Sequence, residues 1–112
     1  VALTSGAARG YRSGRVAYSM SKAALARAFL SLAEEVRPHG GAVNVLSPGR
    51  VDTWMNRHGD WPGTGHIPLA EPEAIIPAAV WLVGQSAATF TGQRVERADF
   101  GVTWGAGASP GA

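Results

Sequence analysis

The stretch that decides the fold runs from Ala17 to Gly49 and reads AYSMSKAALARAFLSLAEEVRPHGGAVNVLSPG. Leu25, Phe29, Leu32 and Val36 recur at intervals of 4, 3 and 4, the repeat of one helical face. The spacing predicts a helix over 17–37 with these four side chains turned to a core, and Glu34 and Glu35 fall off that stripe. Pro38-His39-Gly40-Gly41 ends the helix, because proline disfavours helical geometry in the residue before it and glycine accepts the left-handed turn after it. The chain passes at once into Ala42-Val43-Asn44-Val45-Leu46, an almost continuous apolar run stopped by Ser47-Pro48-Gly49. Such a run is what a strand covered on both faces requires.

Working outward, Val1-Ala2-Leu3-Thr4 is a short apolar run closed by Ser5-Gly6, and reads as a buried strand. Residues 6–15 are rich in Gly, Arg and Ser and read as a loop, with Arg9, Arg12 and Arg15 expected in solvent. Glu71-Pro72-Glu73 opens a second helix, with proline and acids suited to its first turn. That helix is expected to continue to Val83, with Pro77 as an interior residue that removes a hydrogen bond and kinks it. Gly92-Gln93 leads into a third strand at Arg94–Ala98. The order strand, helix, strand, helix, strand predicts an α/β fold, a parallel sheet covered by helices. Three strands are few for such a sheet, and an edge is left bare. Residues 50–70 have no period and read as a long irregular segment with at most one short helix, of the kind that is either a functional lid or disordered. We expect one domain over 1–101 and a loose Gly/Ala-rich tail over 102–112.

Composition narrows the functional classes. Among 112 residues Lys+Arg is 10 and Asp+Glu is 8, a net +2, with no basic run, so no nucleic-acid partner is expected. There is no cysteine, which excludes a disulfide framework and thiolate catalysis. His58, Asp60 and His66 have no ligand spacing, so no metal is expected. No apolar run reaches the roughly 18 residues of a membrane span. With no leader segment in view, a cytoplasmic protein is expected. The opening residue is Val1, already strand-like, and we expect a sequence entered in its middle.

Tyr18 and Lys22 lie four apart and so share one face of the first helix. Lys22 is the only lysine; every other Lys/Arg position is arginine. A bare Tyr-x-x-x-Lys is commonplace on helices, but its neighbours here are not. Ser5 stands 13 residues before Tyr18, directly after a strand, and Ser19 and Ser21 flank the pair. Asn44 through Gly49, then Val51-x-Thr53-x-Met55, then Phe90-Thr91-Gly92-Gln93 follow in order.

With these motifs in this order, the sequence resembles the carboxyl-terminal half of the short-chain dehydrogenase/reductase family, from residue 1 to about 101. Thr4-Ser5-Gly6 resembles the strand end that bears the family's active-site serine, and Tyr18-Ser-Met-Ser21-Lys22 its tyrosine–lysine motif at the usual spacing. Asn44 to Gly49 resembles its Val-Asn-x-x-x-Pro-Gly strand end, and Thr91-Gly92-Gln93 the turn before its last strand. Leu3 to Gly10 also looks like a phosphate-binding loop, but the second strand such a loop serves does not follow within reach. Some features depart from the family, Pro77 within its next-to-last helix among them. Its common Val-Asp-Gly-Gly after the last strand is replaced by Ala98-Asp99-Phe100-Gly101, and the asparagine of its usual proton relay has no counterpart.

The resemblance implies part of a doubly wound, Rossmann-like parallel sheet lacking the amino-terminal nucleotide-binding half. It implies an oxidoreductase that uses NAD or NADP on a small alcohol or carbonyl substrate, in a homodimer or homotetramer. Tyr18 would be the acid–base, Ser5 would hold the substrate oxygen, and Lys22 would support Tyr18 and bind the ribose hydroxyls. Pro48, Gly49, Val51 and Thr53 would line the cofactor, and Trp54, Met55 and Trp61 would wall the substrate. The chemistry is coherent: a phenol ordinarily ionises near pH 10, and an ammonium roughly 5 Å away at an effective dielectric of about 20 stabilises a phenolate by on the order of 3 kcal/mol. The alternative is a non-catalytic structural or subunit-interface piece of such an enzyme.

Overall fold

The computed structural model describes residues 1–9, 13–58 and 68–108. Its strands are β1 (Ala2–Leu3), β2 (Val45–Ser47) and β3 (Arg94–Glu96), joined in the order β1-β2-β3 and parallel throughout. Helix α1 (Val16–Val36) connects β1 to β2; α2 (Trp54–His58) and α3 (Ile76–Val83) lie between β2 and β3. The α/β class, and its partial Rossmann-like sheet, therefore hold. The strands are shorter than the apolar runs, but hydrogen bonding reaches past them: Gly92 N donates to Val43 O at 2.9 Å and Val45 N to Gln93 O at 2.8 Å.

Alternation along the strands gives the sheet two faces. Leu46 and Val95 are register partners and face α3, forming the core with Ala78, Leu82 and Trp104. Arg94 faces the other way and shares a groove with Ala23, Ala26 and Leu30 of α1. Helices thus cover both faces. Asn44 is almost fully buried and replaces backbone pairing where β2 begins: its amide Nδ2 donates to Phe90 O at 3.1 Å, and its Oδ1 accepts from Gln93 N at 3.2 Å. Thr91 Oγ1 accepts from Val43 N at 3.0 Å.

Four expectations need correction. Along α1 the residues fully turned to the core are Ala26 and Ala33, whereas Leu25, Phe29 and Val36 are half-buried and Leu32 is 39% exposed. Small side chains let the helix lie close on the sheet, and Gly41 lets its end fold back: a Cβ there would meet Val36 Cβ at 3.2 Å. Pro77 does not kink a helix interior. A 3-10 turn over Pro72–Ile75 comes first, and Pro77 falls in the opening turn of α3, where its missing N–H has no partner to lose. Arg15 is buried, not solvated, and is the residue at which α1 starts. Finally, the segment after residue 101 is not loose as far as Trp104, which is only 7% exposed. Its indole Nε1 donates to Glu96 O at 2.8 Å, and its ring meets Phe100 and Trp81 edge-on with centroids 5.0 and 5.8 Å apart. One aromatic anchor outweighs the glycines around it, because burying a tryptophan is worth more than ordering a few small residues costs.

No helix among the described residues is long and apolar enough to cross a membrane.

Candidate active site

Parallel strands bring their carboxyl ends to one edge of the sheet, the edge where open α/β sheets bind ligands. A cavity of about 480 Å³ lies there. Ser5 and Gly6 reach it from β1, Tyr18 and Lys22 from the first turns of α1, Pro48, Gly49 and Val51 from the end of β2, and Thr53 and Met55 from the start of α2.

Tyr18 and Lys22 stand one helical turn apart, with Nζ 6.0 Å from the phenol ring centroid. The ammonium also reaches the Leu3 carbonyl at 3.5 Å, so Lys22 touches the strand end that carries Ser5. Ser21 is engaged otherwise: its Oγ donates to the Tyr18 carbonyl at 2.7 Å. The Pro48-Gly49 turn needs glycine, since φ at Gly49 is 76°, a conformation that side chains with a Cβ resist.

Thr53 has a structural task besides facing the cavity. Its Oγ1 accepts from Asn56 N at 3.3 Å, the bond of a residue capping a helix start. Asn56 answers through Nδ2, which donates to Val51 O at 2.7 Å. Asp52 pairs with both Nε and Nη2 of Arg57, and its backbone N donates to Ala70 O at 2.7 Å. These bonds fold 51–58 into a shelf beside the cavity. Chiefly through hydrogen bonding, the Arg57 guanidinium holds the Asp52 carboxyl below its usual range.

The substrate-wall expectation is met in part. Met55 lines the cavity, but Trp54 does not: it is 75% exposed and stacks on His58, ring centroids 4.8 Å apart. On so short a helix, adjacent residues point in different directions, so only one of Trp54 and Met55 can face inward. Trp61, together with Asp60, His66 and Ile67, lies outside the described residues, as does Arg12. Among the described residues no three His, Asp or Glu gather as metal ligands.

Among the lining residues that the sequence reading did not assign to the site are Arg15, Arg50, Asn56 and Glu96. Asn56 was findable as the third residue after a capping threonine, and Glu96 as an inward position near the end of the last strand. Thr4 Oγ1 is also buried at the cavity, without a hydrogen-bond partner among the described residues.

Comparison with known proteins finds relatives over most of the chain. A family model described as enoyl-(acyl carrier protein) reductase matches residues 1–103. The cyclic-di-GMP-binding biofilm dispersal mediator protein of Escherichia coli (strain K12) is 34% identical over 85 residues, covering 70% of this chain and 36% of that protein. The uncharacterized oxidoreductase YmfI of Bacillus subtilis (strain 168) is 38% identical over 85 residues, covering 70% of this chain and 35% of that protein. The crystal structure of a short chain dehydrogenase from Salmonella enterica subsp. enterica serovar Typhi superposes with a TM-score of 0.70 at 28% identity, over 85% of this chain and 39% of that one. The chain thus spans about a third of the curated relatives' length.

Proposed function

The chain belongs to the short-chain dehydrogenase/reductase family, and we propose that it carries the proton-transfer side of an oxidoreductase acting with NAD or NADP on an alcohol or carbonyl. The observation that supports this reading is one cavity at the strand ends that collects Ser5, Tyr18, Lys22 and the Pro48-Gly49 turn. In the complete enzyme, with further strands beside β1, this cavity would be the nicotinamide and substrate end of the site.

The residues present fit a nicotinamide nucleotide. Lys22 offers a charged donor to ribose hydroxyls, and Gly49 gives a backbone surface without a side chain. Lys22, Pro48, Gly49, Val51 and Thr53 would hold the group, which when bound supplies or accepts the hydride. The chain's own work is then with the proton and the oxygen. Ser5 donates a hydrogen bond to the substrate oxygen and holds it beside Tyr18. In reduction, the Tyr18 hydroxyl gives its proton to that oxygen as negative charge develops there; in oxidation it takes the proton back. The Lys22 ammonium, 6.0 Å from the ring, offsets the negative charge left on the phenol oxygen. Met55 gives the substrate end an apolar wall. The half-buried Leu25, Phe29 and Val36 and the exposed Leu32 make α1 suited to a subunit contact in a homodimer or homotetramer.

Tyr18→Phe is the direct test. Turnover of a carbonyl panel should fall by about 10²–10⁴-fold, while circular dichroism and melting stay those of the parent. Undiminished turnover in that variant would overturn the assignment.

A further inference from the structure

Two carbonyls at the rims of the cavity lie just past the ends of their strands. Ser5 O lies two residues beyond β1 and Pro48 O one residue beyond β2. A carbonyl beyond the ladder has no neighbouring strand to supply a donor. Ser5 O takes one from Ala8 N at 3.0 Å within its own turn, and both carbonyls receive an arginine donor, from β3 and from the 3-10 turn Arg97–Asp99 that follows it. Arg94 crosses β2 and donates from Nη2 to Ser5 O at 3.2 Å, while its Nη1 pairs with Glu96 at 2.6 Å. Arg97 turns back and donates from Nε to Pro48 O at 2.6 Å. Its Nη2 lies 3.4 Å from where a Cβ on Gly49 would be, so the guanidinium also backs the turn. The Arg94 side chain is only 12% exposed, so this is no solvated loop contact. Arginine suits the task because its planar fork serves two acceptors at once, which an ammonium on a flexible stem does poorly.

We propose that Arg94 and Arg97 are positioning residues: from the last strand and the turn that follows it they hold the Ser5 and Pro48 carbonyls, and so set the distance between the two rims of the cavity. The inference rests on the proposed oxidoreductase reading for its effect on turnover, and on the hydrogen bonds alone for its effect on structure. Neither arginine reaches the reacting atoms.

The experiment uses the natural protein with Arg94→Ala, Arg94→Lys, Arg97→Ala and Arg97→Lys, and Arg27→Ala on the exposed face of α1 as the comparison. Three quantities are read: the backbone carbonyl ¹³C shifts of Ser5 and Pro48, the melting temperature, and kcat and KM for nicotinamide nucleotide and carbonyl separately. The Pro48 shift should move in Arg97→Ala, and the Ser5 shift in Arg94→Ala, with neither moving in Arg27→Ala. A misplacement of about 1 Å at a reacting group can cost about 100-fold in rate, so kcat should fall by about 10–100-fold in both alanine variants. Arg97→Lys should recover most of that loss, because one donor suffices at Pro48. Arg94→Lys should not, because Ser5 and Glu96 must be served together. Unmoved carbonyl shifts would overturn the proposal, as would shifts that move while kcat and both KM values stay those of the parent. Should an alanine variant fail to fold, its lysine counterpart decides by the same shifts. A parent protein inert toward every carbonyl would instead overturn the oxidoreductase reading, and the carbonyl shifts would still judge the brace.

Discussion

Lys22 shows how much one side chain's surroundings matter. Its ammonium lies between the Tyr18 ring and the Leu3 carbonyl, and it is the only lysine in an otherwise arginine-based chain. A compact ammonium on a flexible stem is a point charge with three rotatable donors, unlike the planar fork of a guanidinium. Asp52 and Arg57 make a second residue-scale device, clamping α2 where Thr53 and Met55 meet the cavity. Because Arg57 lowers the folded-state pKa of Asp52, the clamp contributes fully above the unfolded aspartate value, about 3.9. It is lost as pH falls through the lower folded value. A carboxyl ¹³C titration should therefore place Asp52 below an ordinary aspartate, and Arg57→Ala should return it upward. An Asp52 that titrates normally in the parent would show that the pair does not persist in solution.

At the scale of elements, short strands are made sufficient by side chains. Asn44 is the main case: it is 1% exposed and bridges β2 to the turn before β3 through both its amide nitrogen and its oxygen. Asn44→Ala would strand Phe90 O and Gln93 N in a partly buried place, at a cost of about 1–3 kcal/mol for the two together. The expected result is a lowered denaturation midpoint, with the slope unchanged if the native fold survives. A loss under half a kcal/mol would mean water replaces the amide. The same reasoning explains what was legible in α1 and what was not. Its existence and end follow from periodicity and from Pro38-His39-Gly40-Gly41. Its buried face does not, because hydrophobic spacing marks an apolar stripe without saying whether the sheet or another surface covers it. Close packing on this sheet selected Ala26 and Ala33.

For the whole molecule, the core runs further along the chain than composition implies. Trp104 closes it by covering Leu46, Val95, Ala78 and Leu82, and by tying its indole to Glu96 O. Trp104→Ala should destabilise the protein by about 3–5 kcal/mol, read from chemical denaturation. An effect below about 1 kcal/mol would mean the segment after residue 101 is as loose as its glycines imply. The sequence by itself determined the α/β class, the strand–helix alternation, and the spacing of Ser5, Tyr18, Lys22 and Pro48-Gly49, because these depend on local periodicity, turn chemistry and short motifs. Only the tertiary structure decided that Trp104 is core, that Trp54 faces solvent while Met55 faces the cavity, and that Arg94 and Arg97 reach back to Ser5 and Pro48. Those outcomes depend on contacts between residues as many as 89 positions apart, and no local pattern encodes which distant surface a side chain will meet.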